Sequence, residues 1–226
     1  MRKFLFLSSL ALASTLGLAG PASAEEGGQR IATQGNGKGA TACMSCHQAD
    51  GAGLESAGFP RLAGLNPDYL AAQLEAFQTG TRKNPIMTPI AKALSGPERL
   101  SVAAYYAAQQ APYKPLSAGV AENARGKALA RVGDWRQRDL PACLQCHGPN
   151  AAGVGSSFPA LAGQHASYIQ AQLNAWKQGD RRNDPGGLMK AVADKLDAAD
   201  IRAVAAYLAV LPAASAVSAL SASDSQ

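Results

Sequence analysis

The chain of 226 residues carries 21 basic and 16 acidic residues, and 47% of it is hydrophobic. Its net charge of +5 falls to +3 once Arg2 and Lys3 leave with a leader, because 19 basic residues then stand against 16 acidic ones. This small excess gives no reason to expect nucleic-acid binding, and no run beyond the leader is long and apolar enough to be a membrane span.

The first 24 residues have the pattern of a secretory signal peptide. Arg2 and Lys3 precede an apolar run over 4–18, and the small-residue sequence Ala-Ser-Ala ends at Ala24. Basic, apolar and small-residue regions in this order are typical of a cleaved leader. We therefore expect residues 1–24 to be removed after Ala24 and the mature protein to be exported. An uncleaved anchor is the alternative, although the apolar run is short for that role.

The remainder of the chain is an internal repeat with an offset of 99 to 102 residues. Four pairs of segments recur in the same order: 43–47 with 143–147, 59–64 with 158–163, 69–82 with 168–181, and 102–105 with 204–207. We expect two domains, each of a common size for one core, over 25–111 and 122–211. Residues 112–121, which include two prolines and a glycine, are predicted to be a linker. Residues 212–226 are predicted to be a flexible tail.

Both copies have the periodicity of α-helices. In the first copy, Asn66 is a candidate N-cap, and Ser95 and Glu98 have the spacing of a capping box. Apolar residues recur behind these positions at helical spacing, and the second copy repeats the pattern. The predicted helices lie near 67–79, 95–110, 167–178 and 198–211. Because no segment alternates as a strand does, the chain is predicted to be all-α.

The four cysteines lie in two Cys-x-x-Cys-His motifs, which contain Cys43, Cys46 and His47 and, in the second copy, Cys143, Cys146 and His147. Structural zinc needs four ligands brought together, whereas these pairs belong to separate repeats. A thioredoxin-like pair requires a βαβ context, and plain disulfides leave the repeated histidine unexplained. Covalent attachment of a c-type haem accounts for both cysteines and for the histidine as an axial ligand. We therefore predict two covalently bound haems.

The second axial ligand of each haem is expected to be a methionine or a histidine, unless that position is open. Met1 is lost with the leader and Met44 lies inside an attachment motif. Met87 and Met189 remain, 40 and 42 residues after the proximal histidines. His165 has no counterpart in the first copy, so we expect it at the surface or capping a helix. Core packing by the two methionines is the alternative to ligation.

With these motifs the sequence resembles the dihaem class I cytochromes c of the cytochrome c4 type, over roughly residues 35–211. The resemblance rests on CMSCHQADG, FPRLAG, YLAAQL, GTR, Met87 and VAAYYA, together with their second copies. It implies two tandem class I cytochrome c domains, pseudo-two-fold related, with haem edges close together and His/Met ligation, which pass electrons in the periplasm. It also implies that the carbonyls of Pro60 and Pro159 accept from the proximal imidazoles and that Leu62 and Leu161 pack on the haems.

The two copies differ in two places. The first copy has the glycine-broken IATQGNGKGATA before its cysteines, so we expect its N-terminal helix to be short or poorly formed. Counted from the histidine, the loop that ends at Met189 is two residues longer than the loop that ends at Met87. We therefore expect the two haems to be inequivalent.

Filled axial positions favour an electron carrier over an enzyme, because no substrate reaches the iron without displacing a ligand. The first hypothesis is a relay, one electron at a time, from a quinol-oxidising complex of the cytochrome bc1 type to a terminal oxidase or reductase. The alternatives are the electron-accepting cytochrome of a periplasmic dehydrogenase and a dihaem peroxidase. Basic residues within 125–138 indicate either a docking patch for an acidic partner or a solvated face. A peripheral position at the membrane surface is a further expectation.

Overall fold

The computed structural model describes residues 21–111 and 123–213. Two helical domains follow one another within these ranges, and their only β-pairings are isolated bridges such as that between Leu54 and Phe59. The predicted all-α class and tandem arrangement are confirmed. The predicted linker over 112–121 lies outside the described residues, as do most of the predicted leader and nearly all of the predicted tail. No described helix is long and apolar enough to cross a membrane.

The helices of the second domain repeat those of the first, with one short addition. In the first domain they are α1 (Pro21–Gln34), α2 (Met44–His47), α3 (Pro67–Thr79), α4 (Met87–Lys92) and α5 (Gly96–Ala108). In the second they are α6 (Ala124–Arg131), α7 (Trp135–Arg138), α8 (Cys143–His147), α9 (Ala166–Gln178), α10 (Leu188–Asp194) and α11 (Ala198–Ala209). Short 3-10 turns lie at Glu55–Ala57, Pro149–Ala151 and Pro185–Gly187. The added element is α7, just before the second motif.

The caps predicted for the first domain are present. The Tyr69 amide donates to the Asn66 side chain at 3.1 Å. The Glu98 amide donates to the Ser95 hydroxyl at 3.4 Å, and the Glu98 carboxylate accepts from the Ser95 amide at 2.7 Å. These reciprocal bonds satisfy amides that the first helical turn leaves free. In the second domain His165 occupies the N-cap of α9, but its side chain makes no capping hydrogen bond. The capping role considered for His165 is therefore wrong.

The expectation of a short or poorly formed N-terminal helix in the first domain is also wrong. Helix α1 has 14 residues, of which the ten at 25–34 follow the predicted cleavage site, and it packs along α5 as the eight-residue α6 packs along α11. At the first crossing, a Cβ on Gly28 would overlap the Ser101 carbonyl group, and Gly126 faces Ala203 in the same way. Glycine therefore permits the close approach of the two helices. The glycines of IATQGNGKGATA lie beyond the last residue of α1 and do not interrupt it.

Each domain has its own apolar core, built from equivalent positions of the repeat. The first long helix, the helix after the motif and the last helix of each domain enclose it. Core residues that correspond in the two copies are Ile31 and Leu129, Leu70 and Ile169, and Val102 and Val204. The repeat in the sequence is therefore a repeat of packing, and each motif is anchored to a core of its own.

We expect Gly28→Ala to lower the midpoint of thermal unfolding. The added methyl group overlaps the backbone of α5, and such overpacking costs on the order of 1–3 kcal/mol. The better helix propensity of alanine returns at most about 1 kcal/mol. Gly27→Ala is the matched control, because its Cβ would meet only the Ser101 hydroxyl, at 3.9 Å, and it should keep or raise the midpoint. Circular dichroism measures both, and an unchanged midpoint for Gly28→Ala would mean that the crossing tolerates a side chain.

Candidate functional site

The two Cys-x-x-Cys-His segments form equivalent helical turns. The first begins at Met44, with Cys43 at its N-cap, the second begins at Cys143, and each ends at its histidine. The histidine carbonyl then accepts from a glycine amide six residues later, at 2.9 Å from Gly53 and 2.8 Å from Gly153. His47 and His147 are each 6% exposed, whereas the four cysteines are only partly buried. Each turn therefore points its histidine into the domain and keeps its two thiols at the edge.

Both histidine rings are held by a backbone carbonyl. Nδ1 of His47 lies 3.1 Å from the Pro60 oxygen, and Nδ1 of His147 lies 2.7 Å from the Pro159 oxygen. Because a carbonyl can only accept, Nδ1 carries the proton and Nε2 keeps its lone pair. Burial lowers the pKa of both imidazoles and so favours the neutral ring. A neutral imidazole with a fixed tautomer is the form that binds a metal ion.

A cavity of about 1020 Å³ lies between these turns and spans both domains. Pockets that hold one small molecule usually measure roughly 300–1,000 Å³. All the site residues predicted from the sequence line it: Cys43, Cys46, His47, Pro60, Leu62 and Met87 from the first domain, and Cys143, Cys146, His147, Pro159, Leu161 and Met189 from the second. Most of the remaining wall is apolar. The cavity therefore has the lining expected around large, flat, apolar groups.

The two methionines that line the cavity are carried by two different loops. Met87 begins α4, and the Asn84 side chain accepts from its amide at 2.9 Å. Met189 is the second residue of α10, and the Asp184 carboxylate accepts from the Lys190 amide at 3.0 Å. A side-chain cap thus fixes each loop, but the cap is neutral in the first domain and acidic in the second.

The loop before Met189 is longer by three residues rather than two. Met87 follows Arg82 by five residues, and Met189 follows Arg181 by eight. These arginines are equivalent, because they pair with each other across the domains. Counted from the histidines, the difference is only two residues, because the second copy is one residue shorter than the first between its histidine and its arginine. The extra residues include the 3-10 turn Pro185–Gly187.

Two alternative uses of the cysteines find no support in this geometry. Within 21–111 and 123–213, no three His, Cys, Asp or Glu side chains come together as a metal-binding group, so a zinc-type donor set is not formed there. Burial raises the pKa of the Cys43 and Cys143 thiols to about 11. Redox-active Cys-x-x-Cys pairs depend instead on a thiol whose pKa is lowered.

One arginine from each domain reaches across the interface at the cavity. Arg82 donates to the Gln73 side chain of its own domain at 3.0 Å and to Tyr168 and Gln172 of the other domain at 2.6 and 2.7 Å. The reciprocal bonds run from Arg181 to Gln172 at 3.1 Å, to Tyr69 at 3.2 Å and to Gln73 at 2.9 Å. The domains are therefore joined by a polar network with pseudo-two-fold symmetry.

Both guanidinium groups are buried and have only neutral partners among the described residues. Arg82 is 6% exposed and Arg181 is 4% exposed, and the ion pairs within the described ranges involve neither. Burial and the charge of Arg82 lower the pKa of Arg181. Buried charges normally have an opposite charge beside them. Both arginines line the cavity, so the site fits a haem, whose two propionates are carboxylates.

The residues of this network lie within the repeated segments YLAAQL and GTR and their second copies, although those segments alone assign them no role. Tyr69, Gln73 and Arg82 recur as Tyr168, Gln172 and Arg181 within segments that are otherwise apolar or variable. Polar residues kept in both copies, in a core-packing helix and just after its end, point to a shared role. Which of them pair across the domains depends on how the two domains pack, and the repeat alone does not specify that.

Other contacts join the domains without symmetry, among them those of Gln164 and His165. The Gln164 side chain accepts from the Arg61 amide and donates to the Arg61 carbonyl, both at 2.9 Å. Nε2 of His165 lies 3.0 Å from the Ala52 carbonyl oxygen. The first copy has Leu65 and Asn66 at the equivalent positions. His165 is therefore a domain-interface residue, and its placement at the free surface was also wrong.

Comparison with known proteins gives matches over nearly all the described residues. The family model described as Cytochrome c matches residues 28–111 and 123–212. A curated protein, the thiosulfate dehydrogenase electron acceptor of Stutzerimonas stutzeri, is 49% identical over 184 residues, which are 80% of this chain and 85% of that protein.

Solved structures resemble the same two-domain unit. The reduced recombinant cytochrome c4 from Pseudomonas stutzeri matches with a TM-score of 0.72 and 34% identity, over 83% of this chain and 98% of that one. The thiosulfate dehydrogenase TsdBA from Marichromatium purpuratum matches with a TM-score of 0.78 and 48% identity. That match covers 83% of this chain and 40% of the other, so this protein spans less than half of TsdBA.

The family match and the cytochrome c4 structure agree with the duplicated motifs and with a cavity that both domains share. The chain belongs to the cytochrome c family, as a two-domain electron carrier of the cytochrome c4 type with a covalently bound haem c in each domain.

Proposed function

We propose that this protein accepts electrons from a periplasmic dehydrogenase that oxidises thiosulfate. The observation that carries the proposal is the 49% identity, over 80% of this chain, to a protein named thiosulfate dehydrogenase electron acceptor. The likeness to part of a structure titled thiosulfate dehydrogenase supports the same partner. In this proposal the chemistry on thiosulfate belongs to the partner, and this chain carries the electrons away without being an enzyme itself.

A second candidate is the relay from a quinol-oxidising complex to a terminal oxidase or reductase. The likeness to cytochrome c4 over 98% of that chain supports it. The two candidates share the cofactors and the fold, and they differ in which protein supplies the electrons. Because the predicted leader would export the chain, both place it in the periplasm, and the identity of the donor decides between them.

The proposed roles of the site residues are the same in both domains. Cys43 and Cys46 hold the first haem through thioethers, and Cys143 and Cys146 hold the second. His47 and Met87 bind the first iron, and His147 and Met189 bind the second. When bound, each haem takes up and releases one electron at its iron. The Pro60 and Pro159 carbonyls keep the imidazoles neutral and oriented, Leu62 and Leu161 exclude water, and thioether sulfur favours the reduced iron.

The two buried arginines supply the positive charge of the site. We assign Arg82 and Arg181 to the haem propionates, because both line the cavity and the described residues offer them no carboxylate. Each guanidinium is also bonded to both domains. The same side chains therefore hold the propionates and keep the domains, and hence the two haems, at a set separation.

The purified thiosulfate dehydrogenase of the source cell, supplied with thiosulfate, should reduce both haems of this protein. Absorbance of the reduced haem follows the reaction, and mixtures without enzyme or without thiosulfate should stay oxidised. Membranes supplied with a quinol provide the comparison. Fast reduction by the membranes together with no reduction by the dehydrogenase would reject the proposed donor and favour the relay.

A redox titration should show two separate reduction steps, because the loops that carry Met87 and Met189 differ in length and cap. Met87→His and Met189→His should each lower the reduction potential of one haem by on the order of 0.1 V. The choice of axial ligand alone changes haem reduction potentials over a range of about 0.8 V. Met44→His is the control, because Met44 lies inside the attachment turn, and both steps should stay in place. If Met189→His leaves both steps unchanged, Met189 is not a ligand.

Arg82→Gln and Arg181→Gln should each lower a reduction potential, because a lost positive charge favours the oxidised iron. A unit charge at an effective dielectric constant near 20 corresponds to a shift on the order of tens of millivolts. Arg99→Gln is the matched control. Arg99 lies outside the cavity lining and is bonded to Gln78 at 2.7 Å, so its loss should shift neither step. Equal shifts for all three variants would remove the propionate role from the buried pair.

A further inference from the structure

The five basic residues clustered within 125–138 divide into two groups. Arg125 and Arg138 are bound to the buried Asp200, at 2.7 and 2.5 Å, and Arg138 also pairs with Asp134 at 2.8 Å. These two arginines fasten α6 and α7 to the start of α11. The other three are exposed and take no part in the ion pairs of the described residues: Lys127, Arg131 and Arg136.

Two exposed apolar side chains lie among these three cations. Val132 is 68% exposed and Trp135 is 52% exposed. Neither lines the cavity, so a bound haem would not cover them. We call the surface formed by Lys127, Arg131, Val132, Trp135 and Arg136 the α6–α7 surface. An exposed tryptophan with basic residues before and after it in the chain offers an aromatic anchor of the kind that carries much of the binding energy at protein interfaces, together with positive charge that can steer an acidic partner.

The α6–α7 surface lies directly behind the second attachment turn. The Leu129 carbonyl, on the helix that carries Lys127 and Arg131, is 3.9 Å from the Cys143 sulfur. A Cβ on Gly133 would lie 2.7 Å from the Ala142 amide nitrogen, and Ala142 lines the cavity. One layer of backbone therefore separates this surface from the second haem site.

The first domain has no such surface at the equivalent place. Its residues Gln29, Thr33 and Gln34 stand at the positions of Lys127, Arg131 and Val132. Helix α7, which carries Trp135, has no counterpart there. The nearby Lys38 is 3.8 Å from the Glu98 carboxylate and so is partly neutralised. The first domain has one exposed cation on the equivalent helix, Arg30. A cluster of three exposed cations with an exposed tryptophan is therefore found at only one of the two otherwise equivalent sites.

We propose that the α6–α7 surface docks the electron-donating enzyme, through a patch on that enzyme in which acidic residues surround an apolar group, so that electrons enter at the second domain. This inference rests on the proposed function. Complementary charge speeds and orients the encounter, and the tryptophan is buried on contact. An anionic membrane is the weaker occupant, because each basic residue near it contributes only about 1 kcal/mol, and this surface has three.

The test compares second-order rates of reduction by the thiosulfate dehydrogenase with thiosulfate, at low and high ionic strength. Lys127→Gln combined with Arg131→Gln should slow reduction roughly tenfold at low ionic strength, and the difference should shrink as salt screens the charges. Trp135→Ala should slow reduction at both salt concentrations, because its contact is apolar. The extent of haem reduction by excess ascorbate should be equal in all variants, which would show that the haems are intact.

The matched control is Gln29→Glu combined with Gln34→Glu, which changes the net charge by the same −2 on the first domain. Its rate should stay within about twofold of the unaltered protein. If both double variants slow equally, only net charge matters and the docking surface is rejected. The docking surface would also be rejected if the Lys127→Gln, Arg131→Gln variant lost binding to phosphatidylglycerol vesicles but kept the same reduction rate. If the dehydrogenase fails to reduce even the unaltered protein, the proposed function itself fails.

Discussion

Two buried guanidinium groups with neutral protein partners form the constraint on which the rest of the structure depends. Arg82 and Arg181 are each bonded to both domains, and both line the shared cavity. A buried cation is costly unless an anion or a full set of acceptors compensates it. We have proposed that the haem propionates supply the missing negative charge beside the tyrosines and glutamines. Under that proposal, the same two arginines serve both cofactor binding and domain packing.

Duplication explains the symmetry of this arrangement, and small insertions explain its asymmetry. Equivalent cores present equivalent histidines, each held by a proline carbonyl, so both sites are built for the same ligation. The 3-10 turn in the loop before Met189 and the helix α7 have no match in the first domain. These are the differences from which we predict two haems of unequal potential and a docking surface on the second domain alone.

The parts of the structure that follow from short-range rules could be predicted well. Asn66, Ser95 and Glu98 start helices because they satisfy amides within their own turn, and the attachment motif folds its histidine inward within five residues. The prediction was wrong for α1, because the glycines on which it rested, at 35, 37 and 39, follow the last residue of the helix and do not interrupt it. It failed for His165 as well, whose partner is a carbonyl 113 positions away along the chain.

The sequence by itself determined the repeat, the all-α class, the two attachment turns and the methionines available to them. Each of these depends on residue types at fixed spacing, and the backbone converts that spacing directly into local geometry. Only the tertiary structure decided that Arg82 and Arg181 exchange partners across the domains, and that Arg125 and Arg138 pair with Asp200 while Lys127, Arg131 and Arg136 take no part in the ion pairs of the described residues. The partner of a long charged side chain depends on which distant segments pack beside it, and spacing along the chain does not specify that.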